Sequence, residues 1–279
     1  MRRLLVLLCV VMGVPAQAQT VQRLGVFGLV ESLEPLVVAG QQITLPDDLR
    51  LISPLGPDQE IALGETLAVT AQLVDGQVLA TRMLQIFAVV GPVGVVHGQS
   101  ATVMGSEVHI PPDLSLKSGK WVAISGLWSG ETVITTKVRE VGAGGFAHLV
   151  GVMSEEGLRL GGSGVWNGST PQEGFGQSIW SVSGAPVDDG IRASLLARGV
   201  FGGAVDLAVW QGYASAPIAS QTYTVHGTGV IGAASDARMP VAGALITRCA
   251  QAKRVVRTAP DGMQSAFDVL GCASRLQAG

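Results

Sequence analysis

The chain has 279 residues, 38 of them glycine, with only 14% charged and 5% aromatic residues and a formal net charge of -3. This balance excludes a disordered chain, which needs low hydrophobicity and high net charge, and it lacks the basic footprint of a nucleic-acid binder. A chain rich in Gly, Val and Leu but poor in charge fits many short strands joined by tight turns, in one to three domains by length.

Residues 1–18 read as a secretory signal peptide. Arg2 and Arg3 precede an apolar run from Leu4 to Val14, and Pro15 and Ala16-Gln17-Ala18 follow. That order of positive, apolar and small-x-small residues predicts cleavage after Ala18 and a periplasmic or secreted protein. The apolar run is about half of the roughly 20 residues a membrane span needs, so the mature chain is not expected to span a membrane. Leu8 stands where a lipoprotein signal needs a small residue before Cys9, and nothing around Arg2-Arg3 supports twin-arginine export. Removing Cys9 with the signal leaves Cys249 and Cys272, which in an exported chain read as one disulfide.

Residues 19–88 and 89–143 carry one pattern twice. Gly28 to Pro46 and Gly94 to Pro111 each run from glycine through two apolar residues, a turn and an alternating strand to a second strand ending at proline. Each then passes through a polar turn to Gly64 or Gly119. Two alternating strands follow, "GETLAVTAQLVDGQVLATRM" and "GKWVAISGLWSGETVITTKV", turning at Asp75-Gly76 and Ser129-Gly130. A short turn with Gly between alternating runs is a hairpin signal. Residues 144–213 hold a degraded third copy, with Gly151 to Trp166 matching the first half and Gly176 to Leu195 the second, its hairpin placed at Asp189-Gly190. The opening glycines Gly28, Gly94 and Gly151 recur at about sixty residues, long for a solenoid repeat and suited to a small domain.

Each copy offers about five short strands, which avoid open edges by curling into a small barrel. The predicted fold class is therefore all-β, with tandem small antiparallel five-stranded OB-like modules. About three copies are followed by a partial fourth, residues 214–279, closed by the Cys249–Cys272 disulfide. Below about 70 residues a lone core is marginal, so neighbouring modules are expected to pack together.

Gly28, Gly40, Gly64, Val69, Asp75-Gly76 and Ala80-Thr81 in the first copy carry a wider pattern, as do Gly94, Gly105, Gly119, Ile124, Gly130 and Thr135-Thr136 in the second. Over roughly residues 25 to 196 this pattern resembles a bacterial exported repeat, domain of unknown function family 5666. The resemblance implies small β-barrel modules in exported proteins and implies no activity. The second copy departs from it by lacking the acidic hairpin residue, and the third by having Ala193-Ser194 in place of Ala-Thr.

The sequence supplies no reaction. "GTGVIG", Gly227 to Gly232, has the form of a dinucleotide fingerprint, but Pro240 follows too closely for the helix that motif requires, so it reads as glycines at a turn. His97, His109, His148 and His226 form no zinc-binding spacing and read as surface or turn residues. No nucleophile elbow is present. Asp47-Asp48, Glu155-Glu156 and Asp188-Asp189 read as turn residues. The Asn167-Gly168-Ser169 sequon reads as a loop. No cofactor, metal or catalytic residue is assigned, and the chain is read as a non-enzyme.

Tryptophan gives the candidate contacts. With the copies in register, Trp128 falls on the core face, whereas Trp121 matches Thr66 and Trp180 matches Ala68 on the opposite face. Outward tryptophans mark a partner or ligand surface, or a face packed against the next module. The expected function is an exported scaffold or protein-interaction protein of the bacterial envelope. The alternative is a protein that binds carbohydrate or envelope polymer through Trp121 and Trp180, since OB-type barrels bind oligosaccharides. An exported hydrolase is the remote third reading.

Overall fold

The structure is a computed structural model and describes residues 23–74, 76–144, 146–156, 158–166, 175–218, 222–233, 239–251 and 254–258. The expected signal peptide, the sequon and Cys272 lie outside these residues. Cys249 is fully buried. The described residues form strands and turns, with no helix among them.

The clearest unit is β7 (Val89–His97), β8 (Ser100–Val103), β9 (Ser106–His109), β10 (Trp121–Ser129) and β11 (Thr132–Glu140). Strands β7, β8 and β9 form an antiparallel meander. Strand β9 pairs with β11 in parallel, β11 pairs with β10, and β10 returns to β7. The result is a closed five-stranded barrel of mixed direction, which corrects the expected all-antiparallel barrel. The parallel pair follows from the long connection between β9 and β10, which a tight hairpin cannot replace.

Upstream lie β1 (Arg23–Leu33), β2 (Leu36–Val38), β3 (Gln41–Gln42), β4 (Leu51–Ile52), β5 (Thr66–Val74) and β6 (Gln77–Ile86). Here β1 pairs with β2 and β5, β2 with β3, and β5 with β6, all antiparallel. The third and last strands meet through a parallel bridge from Thr44 to Leu79. Strand β4 adds in parallel to β6.

Downstream come β12 (Ala147–Val152), β13 (Arg159–Leu160), β14 (Ser163–Trp166), β15 (Ile179–Val187) and β16 (Gly190–Arg198). Strand β12 pairs with β15, β15 with β16, β16 with β14 in parallel, and β14 with β13. A bridge from Met153 to Leu160 links the first two strands.

The last stretch holds β17 (Leu207–Tyr213), β18 (Thr222–Val225), β19 (Val230–Ala233), β20 (Leu245–Gln251) and β21 (Arg254–Thr258). It pairs in the same sense: β17 with β20, β20 with β21, β21 with β19 in parallel, β19 with β18, and an Ala214–Val225 bridge. Four of these strands, β18 to β21, lie in residues 214–279, and β17 precedes them. The expected boundary after residue 213 falls at the end of β17, the strand that leads this group.

Local geometry explains the turns. Val38 pairs with Gln41, so Ala39 and Gly40 alone make the turn, with φ of 50° and 74°. Val103 pairs with Ser106, leaving Met104 and Gly105 with φ of 50° and 85°. Two successive positive φ values match the right-handed twist of the flanking strands. In the third group Val187 pairs with Gly190, so Asp188-Asp189 make the turn and Gly190 already belongs to β16. This moves the expected Asp189-Gly190 hairpin by one residue. Gly227 and Gly229, both at φ 72°, lie in the β18–β19 turn, as the reading of "GTGVIG" required.

Three core clusters matter. One fills the closed barrel and runs on into the third group through Leu149, Trp180, Val182 and Ile191. A second fills the first group and takes in Leu207, Val209 and Cys249 from the last. The third draws Phe27 and Ala68, Leu127, Val150 and Ile179, and Trp210 from all four stretches. Two strand pairs tie the stretches together: β1 runs parallel to β17, and β7 runs antiparallel to β12.

Candidate functional site

Trp121 opens β10 and pairs with Pro92 on β7. It is half-buried, on the outer face of the closed barrel. The β7–β12 pairing carries that outer face onto the third group. The aligned row runs Ala123, Val90, His148, Ser183 and Leu195 across β10, β7, β12, β15 and β16.

Phe146, 39% exposed, lies immediately before β12 on the same side. Its ring sits 5.8 Å from that of His148. Two clefts share Trp121 and Phe146. One, of about 730 Å³, is walled by Pro54, Leu55, Gly56 and Gln59 and by Arg139 and Glu140. The other, of about 480 Å³, is walled by Ser183, Gly184, Ala185, Pro186 and Ser194. The two aromatic side chains therefore stand where two adjoining clefts meet, and the walls of this grooved surface come from three strand groups.

The wall around Gln59 belongs to the β4–β5 connection and is held by a buried polar network. Glu65 is fully buried and forms an ion pair with Arg139 Nε. Its other oxygen accepts from Gln85 Nε2 at 2.7 Å and from the Ala62 amide at 3.0 Å. Arg139 also donates to Gln59 Oε1 at 3.3 Å and to the Glu60 carbonyl at 2.6 Å, and Ser53 Oγ donates to Gln85 Oε1 at 2.7 Å. A buried charge needs a partner and filled hydrogen-bonding positions, and this network supplies both while fixing the wall.

Beneath Phe146, His148 Nδ1 lies 2.9 Å from Ser183 Oγ. Burial pushes the His148 pKa down to about 4, so its ring is neutral at pH 7. The sequence placed this histidine at the surface. It is 7% exposed, because the pairing of β12 with both β7 and β15 makes it central to a sheet. His97 is exposed and His109 half-buried. The three acid pairs do fall in turns. Among the described residues no group of three or more His, Cys, Asp or Glu side chains is placed to hold a metal ion.

The structure keeps one of the two expected outward tryptophans at the surface. Trp180 is 3% exposed and packs edge-on against Phe175, 4.8 Å away, so its expected outward face is corrected. The cause is a one-residue slip. In all of the long hairpins a register irregularity falls before a small residue: Ala71, Gly126 and Gly184. Counted back from these, Trp180 matches Leu67 and Val122, both core residues, because β15 has one more residue after Gly176 than its counterparts have after Gly64 and Gly119. A slip of one residue exchanges the two faces of a strand. Trp128 is core as expected, its Nε1 donating to the Val150 carbonyl at 2.7 Å. Phe146, Gln59 and Arg139 were not singled out in the sequence. They lie in a connection, in a loop and at a strand end, where no periodicity marks a side chain. No family model matches the chain, and no curated protein or solved structure matches it.

Proposed function

We propose that this chain is an exported, non-enzymatic binding protein built of four tandem OB-like barrels, and that the Trp121–Phe146 groove takes an extended glycan of the cell envelope. The tandem reading is supported by the recurrence of one pairing scheme in the four stretches: a parallel third-to-fifth strand contact in the last three, and in the first, which carries β4 as a sixth strand, a parallel bridge from Thr44 beyond β3 to β6. It extends the resemblance to domain of unknown function family 5666 by one module. Export rests on the signal-peptide pattern of residues 1–18.

The observation that carries the ligand class is the placement of Trp121 and Phe146 together in a groove flanked by polar side chains. Aromatic faces accept the C–H faces of sugar rings, while Gln59, Glu140, Ser183 and Ser194 offer partners to hydroxyls. Oligosaccharide binding on one barrel face is a known use of this architecture. The scaffold reading needs a flatter protein-sized patch and is less well served by a groove.

The test is a tryptophan-fluorescence titration of the full mature chain with soluble β-linked hexasaccharides such as chitohexaose. Saturable quenching, abolished in Trp121→Ala and retained in Trp166→Ala, is expected. Trp166 is 52% exposed but lines neither cleft. Absence of any glycan response, together with a discrete protein adduct from a photoreactive residue at position 121 in cells, would replace this reading by the scaffold one.

A further inference from the structure

A second cavity lies away from the groove, between the third and fourth strand groups. Its volume is about 380 Å³, at the small end of the roughly 300–1,000 Å³ typical of ligand pockets. Its walls are apolar: Ile179, Val200, Phe201, Val205, Trp210 and Val230 contribute aliphatic and aromatic surface. No carboxylate is among the lining residues.

The polar groups of this lining have one sense. Arg198 is exposed at the cavity, and Ser178 Oγ accepts from its Nε at 3.1 Å, which orients the guanidinium. No acidic side chain among the described residues pairs with it. Trp210 is 7% exposed, wedged between Phe27 and Phe201 at ring distances of 5.4 and 5.0 Å, and its Nε1 is buried with no acceptor. Thr228 is already satisfied, since its hydroxyl donates to the Val225 carbonyl at 2.7 Å and accepts from the Val230 amide at 3.1 Å. What remains open is therefore donor: the two terminal nitrogens of the Arg198 guanidinium, whose Nε alone is bonded, and an indole N–H in the wall. Buried donors without partners are rare enough to require an explanation.

We propose that this cavity binds a small apolar carboxylic acid, with the acyl or aryl body against Val200, Phe201 and Val205 and the carboxylate on Arg198. An apolar wall selects the body, and a fixed, uncompensated guanidinium selects a planar anion with two acceptor oxygens. The segment over the cavity contains Gly199 and Gly202, at φ 82° and 69°, and its Phe201 ring lies against Gly25, where a Cβ would come within 2.6 Å of the ring. The loop is thereby anchored at Phe201, and the cavity is a built feature of the junction.

The experiment is isothermal titration calorimetry of the full mature chain with decanoate, and with decanol as the uncharged control. Decanoate is expected to bind saturably at one site. Arg198→Gln should weaken it about tenfold, as loss of a charge-assisted contact does, and should leave decanol unchanged. Val205→Trp, which fills the cavity from a half-buried loop position, should abolish binding of both. No saturable binding of decanoate, equal binding by the Arg198→Gln protein, or decanol binding as tightly as decanoate would each overturn the proposal. Should the Val205→Trp protein fail to fold, the surface change at Arg198 still decides.

Discussion

His148 shows how far one residue depends on its neighbours. Alone in "GGFAHLVG" it is an ordinary histidine beside a strand. Between β7 and β15 it is buried, hydrogen-bonded to Ser183 and held neutral, its pKa lowered to about 4 from 6.5 by desolvation. The unfolded chain takes up a proton below 6.5, and the folded chain does so only near 4. Stability from this residue is therefore complete above pH 6.5 and is lost as the pH falls through that window, about 3 kcal/mol in total. Urea midpoints should hold between pH 7.5 and about 6.5 and fall from there to pH 4.5, and His148→Gln should flatten most of that slope. Burial also lowers the His226 pKa, so a smaller slope of the same sign should remain in the variant.

At the scale of elements, the β4–β5 connection and the end of β11 are joined by the Glu65–Arg139 network. Thr136 Oγ1 adds a bond to the Gly64 carbonyl. Removing one member of a buried ion pair leaves the other charged and unpartnered, at a cost of roughly 3–5 kcal/mol. Arg139→Met should therefore lower the unfolding free energy by that order, with a matching fall in the denaturation midpoint, and open the connection around Gln59 to limited proteolysis. The double variant Glu65→Leu, Arg139→Met should recover part of the loss, since no charge is then stranded. A midpoint in Arg139→Met equal to that of the parent would mean that the network contributes nothing. The same network walls the groove, so the single variant should also weaken any glycan response at Trp121.

The first and last strand groups of the described residues are joined by direct contacts. Strand β1 pairs along Leu24 to Phe27 with β17, and the cluster around Phe27, Phe201 and Trp210 draws on every stretch. Such sharing favours a single cooperative transition over four independent ones. Calorimetry of the full mature chain should show one unfolding peak. A chain stopped after Asp206 exposes the edge of β1 and the apolar side chains that β17 covered. It should lose that peak or aggregate, because an open apolar edge templates association. Two or more resolved peaks in the full chain would show that the strand groups unfold separately.

Strand content and the tight turns were legible because apolar alternation and glycine at turns are local properties. Counting failed where insertions hid the register. Gly28 was matched to Gly94, yet Gly28, Gly91, Gly151 and Gly212 are the residues that pair with the corresponding positions Leu67, Val122 and Trp180, which are core, and Ile246, which is half-buried. Each of these glycines lacks room for a Cβ: one on Gly91 would lie 2.5 Å from Met104 Sδ, and one on Gly212 would lie 2.7 Å from Val225 Cγ1. That constraint comes from a neighbouring strand and leaves no periodic mark in the chain. By itself the sequence determined the all-β class, the turn chemistry and the buried place of Trp128, since these depend on residues near in sequence. Only the tertiary structure decided that Trp180 points inward, that Phe146 joins Trp121 in a groove, that the barrel is of mixed direction and that the first strand pairs with β17. Each of those depends on which distant backbone supplies the hydrogen bonds, and a one-residue slip in that pairing turns a strand's faces over.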